Sequence, residues 1–297
     1  MISPQMQEQI AILTQSVTPL EATWPERRAA YDALSDVYPA LPDVVRDEIE
    51  LGGVPTVRFT PPGVDGARAI LYFHGGGYCI GSTRSHAMIV TRLAKAAGCT
   101  LYFPLYRLAP EHDFPVPVED CFSAWQGLLA TGMAPERVAF SGDSAGGGLC
   151  FSIMQMARDR GVALPACAAA ISPWSDMEGQ GTWRAGDPTR DAFLLPQELE
   201  LFVEGFIGGS NLCHPLAAPM YGAMDRLPPV LIQVSASELL YDDAVRLAAG
   251  IEASGGSVEM QVAEAGTPHV WHHMVPDVPE SVEAIEAAGA FMARHTT

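Results

Sequence analysis

Basic side chains are scarce. Seventeen Lys and Arg, with Lys95 as the single lysine, stand against 35 Asp and Glu, so the 297-residue chain carries a formal net charge of −18. Such a field repels phosphate backbones and anionic lipid surfaces, so neither a nucleic acid nor a membrane is expected as a partner, whereas a neutral or cationic small molecule is compatible with it. Charged residues make up 18% and hydrophobic residues 48%, which excludes a disordered acidic chain. Long apolar runs are missing as well. The longest stretch without a formal charge, Gly205 to Met224, is broken by Gly208-Gly209, Asn211, His214, Pro215 and Pro219 and cannot be a spanning helix. No basic residue precedes Arg27, so the first residues lack the positive n-region of a secretory signal.

Metal and nucleotide signatures are also absent. There is no H-E-x-x-H, no Walker-type lysine, and no C-x-x-C pair among Cys79, Cys99, Cys121, Cys150, Cys167 and Cys213. The cysteines sit mostly in apolar surroundings and read as small buried hydrophobes of a reducing compartment. A cytoplasmic protein without a metal is expected.

What is present is an alternation of strands and helices. Met6, Ile10, Leu13 and Val17 recur at helical spacing, as do Trp24, Tyr31, Leu34 and Tyr38, so the first forty residues should be helices lying on a larger body. Alternating runs at 46–51 and 54–60 flank Gly52-Gly53 and predict a hairpin. Apolar runs at 69–73, 100–103, 138–141, 167–171 and 230–234, with a more alternating one at 257–262, predict buried strands. Helical patterns at 83–97, 116–130, 145–160, 238–253 and 280–294 separate them. This order predicts a mostly parallel eight-stranded sheet with helices on both faces. Residues 172–228 are too many for one crossover and read as carrying an insert over the C-terminal strand ends, where open parallel sheets bind ligands.

Gly142-Asp143-Ser144-Ala145-Gly146 follows one predicted strand and opens a helix. This is G-x-S-x-G in its strand–turn–helix setting, which projects Ser144 as a nucleophile at a helix N-terminus. His74-Gly75-Gly76-Gly77 ends another strand. Glycines let backbone N–H groups approach a reacting atom closely, so Gly76 and Gly77, with the N–H of Ala145, are the candidate oxyanion-hole donors for acyl transfer. His74, with no acid or His at ligand spacing, reads as structural.

The two motifs, together with Tyr106-Arg107-Leu108-Ala109-Pro110-Glu111, Phe114-Pro115 and Ser172-Pro173-Trp174-Ser175-Asp176, resemble the hormone-sensitive-lipase-like (bacterial family IV) esterases of the α/β-hydrolase superfamily over about residues 46–294. The resemblance implies an α/β-hydrolase fold, hydrolysis of a small carboxylic ester and no cofactor. It also implies a helical cap built from residues 1–45 and an insert, 177–225, on a catalytic domain of 46–297. In this fold the chain order is nucleophile, acid, histidine. Of the eight histidines, His269 lies in the loop after the last strand, where the family's histidine sits, while His272 and His273 read as surface or packing residues. The family's acid is an Asp in a stretch matched here by Ser235-Ala236-Ser237-Glu238-Leu239-Leu240-Tyr241-Asp242-Asp243. Glu238 stands where Asp is usual, and we read it as the acid. Asp242 and Asp243 are its rivals, with pairing to the first turn of their own helix as their other role.

Phe193, Phe202 and Phe206 in the insert either line a pocket for short to medium acyl groups or pack the insert itself. An acyltransferase, amidase or lactonase on the same triad stays open at this level. A non-catalytic binding protein, like the gibberellin receptors that resemble this family but have an altered histidine position, fits less well, because Ser144, His269 and an acid are all present. Partly by the same resemblance, a homodimer paired through the last strand or its neighbouring helix is expected, since that strand should be a sheet edge.

Overall fold

Each apolar run of the sequence becomes a strand. In the computed structural model, which describes residues 1–14, 18–185 and 191–297, eight strands form one sheet. They are β1 (Val45–Leu51), β2 (Val54–Thr60), β3 (Ala69–Phe73), β4 (Thr100–Pro104), β5 (Val138–Asp143), β6 (Cys167–Ile171), β7 (Val230–Ser235) and β8 (Val258–Ala263). Their spatial order is β1-β2-β4-β3-β5-β6-β7-β8. β2 runs antiparallel to both its neighbours, and every other pairing is parallel. β8 ends the sheet and keeps a half-exposed alternation, as an edge strand does.

The helices are α1 (Pro4–Leu13), α2 (Trp24–Asp32), α3 (Leu34–Val37), α4 (Thr83–Ala97), α5 (Val116–Ala130), α6 (Ala145–Asp159), α7 (Thr182–Ala185), α8 (Pro196–Ile207), α9 (Tyr241–Ala253), α10 (Trp271–Met274) and α11 (Pro279–His295). The period of two in the strands divides the core. Ala69, Leu71 and Phe73 of β3 face α5, α6 and α9, while Ile70 and Tyr72 face α4 and α11. β6 reads Cys-Ala-Ala-Ala-Ile because helices press on both its faces, and small residues admit them. No described helix is long and apolar enough to cross a membrane.

α1 carries Met6, Ile10 and Leu13, and Val17 lies outside the described residues. The second stripe is broken: Trp24 and Tyr31 lie on α2, Leu34 on α3, and Tyr38 follows α3. The helix expected from residue 238 starts at Tyr241, because Glu238 turns its carboxylate back onto the N–H of Ser235 and holds 235–238 as a turn.

The N-terminal helices and the 177–225 stretch meet one another. Trp24 packs on Phe202 of α8 with ring centroids 5.8 Å apart. Buried Arg27 donates to the carbonyls of Pro19, Leu20 and Ala22 and sits 3.7 Å from Glu198 of α8. α8 lies over the loop that leaves β3, with the Phe202 ring directly against Gly77.

Candidate active site

β5 delivers Ser144 at a sharp turn, with φ 53° and ψ −118°, immediately before α6. A non-glycine residue holds such a conformation only where its surroundings enforce it. Here the Ser144 N–H donates to the Ile171 carbonyl, and its own carbonyl accepts from Gly148 and Trp174. The flanking glycines are needed for close approach. A Cβ at Gly142 would come within 2.5 Å of the Phe73 carbonyl oxygen, and one at Gly146 within 1.9 Å.

The β3 loop is fastened to the same turn. Asp143 Oδ1 accepts from the Gly75 N–H (3.0 Å) and the Tyr72 hydroxyl (2.7 Å). Gly76 and Gly77 follow in left-handed conformations, with φ 97° and 58°. Among the described residues, the N–H groups of Gly76, Gly77 and Ala145 have no protein acceptor. Three free donors beside a serine at a helix N-terminus are what a developing oxyanion requires.

His269 follows β8 and shares one cavity with Ser144. Its Nδ1 faces Glu238 Oε1 at 3.4 Å. Glu238 is fully buried, and its Oε2 accepts from the Ser172 hydroxyl (2.9 Å) and the Ser235 N–H (3.0 Å). The Ser172 oxygen in turn accepts from the N–H of Val270, the residue after the histidine. Burial works against a charged imidazole, but the hydrogen bond and charge of Glu238, then the charges of Asp191 and Asp143, lift His269 above its ordinary pKa. Burial likewise raises the Glu238 carboxyl, opposed by His269 and the Ser235 N–H. No hydrogen bond joins Ser144 Oγ to His269 in this arrangement. Such contacts in unliganded sites are often long and tighten when substrate binds.

Neither rival carboxylate takes the place of Glu238. The sequence reading left Asp243 as a rival acid or as a partner of its own helix's first turn, and it is neither. Instead its Oδ2 accepts from the N–H groups of Ser175 and Asp176, across the chain, because that strand-end loop offers two buried donors. Its pKa is pushed up to about 8, chiefly by burial. Asp242, beside it on α9, makes no described hydrogen bond to His269.

His74, His86, His272 and His273, outside the cavity, are packing groups. His74 is buried, stacks on Tyr106 at 4.1 Å and is depressed to about 3 by burial. His272 and His273 are not surface residues. Both are buried and held neutral by burial, with pKa about 3; His272 Nε2 meets Gln233, and His273 stacks on His86. His86 Nε2 lies 3.5 Å from Asp143 Oδ2, close enough for an ion pair but not aligned as a hydrogen bond. Burial alone would raise Asp143, yet His86 holds its carboxyl well below the usual range.

The cavity measures about 410 Å³ and has mostly apolar walls. Phe193 and Phe202 line it, together with Leu199 and Trp174. Phe206 does not. It is fully buried and stacked on Tyr78 with centroids 3.7 Å apart, so it packs the insert against the β3 loop. Sequence reasoning passed over Ser172, which sits inside a segment already singled out, and Asp191, which no pattern marks.

A family model described as alpha/beta hydrolase fold matches residues 70–273. An acetyl-hydrolase of Streptomyces hygroscopicus is 38% identical over 276 residues, 90% of this chain and 88% of that protein. An ethyl acetate hydrolase of Pseudomonas putida is 31% identical over 245 residues, 78% of this chain and 76% of that protein. Among solved structures, an esterase from the bacterial hormone-sensitive lipase (HSL) family superposes with a TM-score of 0.95 at 36% identity, covering 100% of both chains.

Proposed function

The chain belongs to the hormone-sensitive-lipase-like bacterial esterases of the α/β-hydrolase superfamily and is an ester-hydrolysing enzyme, and from that premise we propose a serine carboxylesterase for short- to medium-chain esters, with Ser144 as nucleophile, His269 as base and Glu238 as orienting acid. One observation carries the reading: Ser144, His269, Gly76 and Gly77 line one apolar cavity, and the N–H groups of Gly76, Gly77 and Ala145, the residue after the serine, have no protein acceptor among the described residues.

In this mechanism His269 Nε2 takes the Ser144 proton as Oγ attacks the ester carbonyl. The three N–H groups hold the resulting oxyanion. His269 returns the proton to the departing alcohol, leaving an acyl-serine. Water then attacks the acyl-serine, giving a proton to His269, and the carboxylic acid leaves as that proton returns to Ser144. Glu238 fixes the Nδ1–H tautomer and favours the imidazolium.

A cap of residues 1–45 and 177–225 would close the cavity, with Phe193 and Phe202 against the acyl group. Phe202 against Gly77 limits depth, and relatives named for acetyl and ethyl acetate substrates support the short end of the range. The cytoplasm suits its six free thiols, five of them buried.

The test is a p-nitrophenyl ester series from acetyl to long acyl on wild type and Ser144→Ala. Turnover should peak at short acyl chains, and the variant should lose it by orders of magnitude. A purified Ser144→Ala enzyme retaining a tenth of the turnover would overturn the assignment.

A further inference from the structure

His269 is approached by two carboxylates from different parts of the chain. Glu238 faces its ring. Asp191, in the stretch between β6 and β7, accepts its main-chain N–H at 3.4 Å through Oδ1. The same Oδ1 accepts from the N–H groups of Phe193 (3.0 Å) and Leu194 (3.3 Å), two residues of the cavity wall. Asp191 is 5% exposed, and its Oδ2 has no hydrogen-bond partner among the described residues. One buried carboxylate therefore ties the wall that meets substrate to the residue that handles the proton. A carboxylate held away from water acts on its neighbours with far more force than one at the surface.

We propose that Asp191 is a positioning residue: it sets the His269 loop against the Phe193–Leu194 wall and supplies a second negative charge that favours the imidazolium formed in the transition state. The inference rests on His269 being the base. The direction of the His269 pKa agrees with it, since Asp191 follows Glu238 among the charges that raise it. The other groups facing His269 are Asp143 of the nucleophile turn and neutral His272 and His273 of α10. Tyr31 and the Arg27–Glu198 pair stand across the cavity.

Asp191→Asn keeps an acceptor at Oδ1 and removes the charge. Its acid limb of kcat/KM against pH, measured with p-nitrophenyl acetate, should move to lower pH. Its plateau kcat should fall severalfold with KM little changed, because the lost charge acts on the transition state. Asp191→Glu, which keeps the charge, should hold the wild-type limb even if kcat drops. Asp191→Ser carries the same expectation as the amide if the Asn variant does not fold. A limb in the uncharged variants that superimposes on wild type overturns the inference, whatever their kcat. His269→Gln separates the two ideas. If it is inert while the Asp191 limb is unmoved, only the Asp191 role fails; if it retains turnover, the base assignment fails and the Asp191 role with it.

Discussion

Replacing Glu238 by Gln should strip the enzyme of most of its turnover, because the amide has no good way to sit. At Oε2 the carboxylate accepts from the Ser172 hydroxyl and from the rigid Ser235 N–H, which can only donate. The Ser235 N–H therefore demands an acceptor, so the amide oxygen takes that place and the NH₂ points at His269 Nδ1. The ring then presents a lone pair to the NH₂ and carries its proton on Nε2, where it cannot accept the Ser144 proton. A wrong tautomer of this kind costs about 10⁴ in kcat. Flipping the amide restores the tautomer but leaves the buried Ser235 N–H without an acceptor, at about 1–3 kcal/mol, or roughly 10–100-fold in rate, and the charge that favours the imidazolium is still lost. The expected fall in kcat is therefore about 10²–10⁴ with KM nearly unchanged. Steady-state hydrolysis of p-nitrophenyl butyrate by purified variants with native-like far-UV circular dichroism reads it. Asp242→Asn should stay within about twofold of wild type, since Asp242 makes no bond to the histidine. A Glu238→Gln enzyme above a tenth of wild-type kcat, or a larger loss in Asp242→Asn, would refute the reasoning.

Three further outcomes are expected. Asp243 has its folded pKa raised to about 8 from 3.8, so it holds a proton in the folded state that the unfolded chain has released; its contribution is complete below about pH 4 and is lost as pH rises to about 8. Denaturation of wild type and Asp243→Asn should diverge over that window by up to about 1.4 kcal/mol per pH unit, in favour of the amide at higher pH, and a pH-independent difference would show that the carboxyl is not protonated. Gly77→Ala would place a Cβ 2.3 Å from the Phe202 ring at φ 58°; moving that donor should cost about 10²–10³ in kcat, and Phe202→Ala in the same chain should recover part of it. The exposed edge strand β8, with half-exposed Val262, should pair two chains, and light scattering that finds only monomer at micromolar concentration would remove that expectation.

Much of the frame was legible because its signals are local. Short apolar runs such as Ala69–Phe73 and Val138–Ser141 read as strands when helical patterns separate them, and the glycines of 142–146 and 75–77 mark turns that no side chain would permit. Glu238 was singled out through the family resemblance, whereas its bonds to Ser172 and Ser235 depend on contacts 66 residues away and on a turn at the start of an expected helix. For His272 and His273 the sequence left surface and packing both open, and packing holds: polarity suggests the surface, yet a neutral imidazole buries at tolerable cost when it is stacked, as His273 is on His86 and Tyr31, or bonded, as His272 is to Gln233. Asp191 carried no signal, since its partners come from its own turn and from a loop 78 residues further on.

The cavity draws its wall from both ends of the chain, with Leu13, Arg27 and Tyr31 on one side and His269, Val270 and Met274 on the other. During synthesis Tyr31 leaves the ribosome about 240 residues ahead of His269, a delay of roughly 10–50 s at ordinary elongation rates. α2 can settle early, since Tyr31 meets His86 and Arg28 meets Glu111, but Met6 of α1 waits for Trp271 and Val275, and until then that helix's apolar face depends on chaperones or on transient local burial. The Ser144 turn can form long before His269 exists, so under the proposed mechanism the nascent chain stays chemically silent until His269 emerges. Under the same proposal, a message truncated before codon 269 would yield a chain with its serine in place, no base and an unfinished apolar wall, a product for proteolysis and not a weak enzyme.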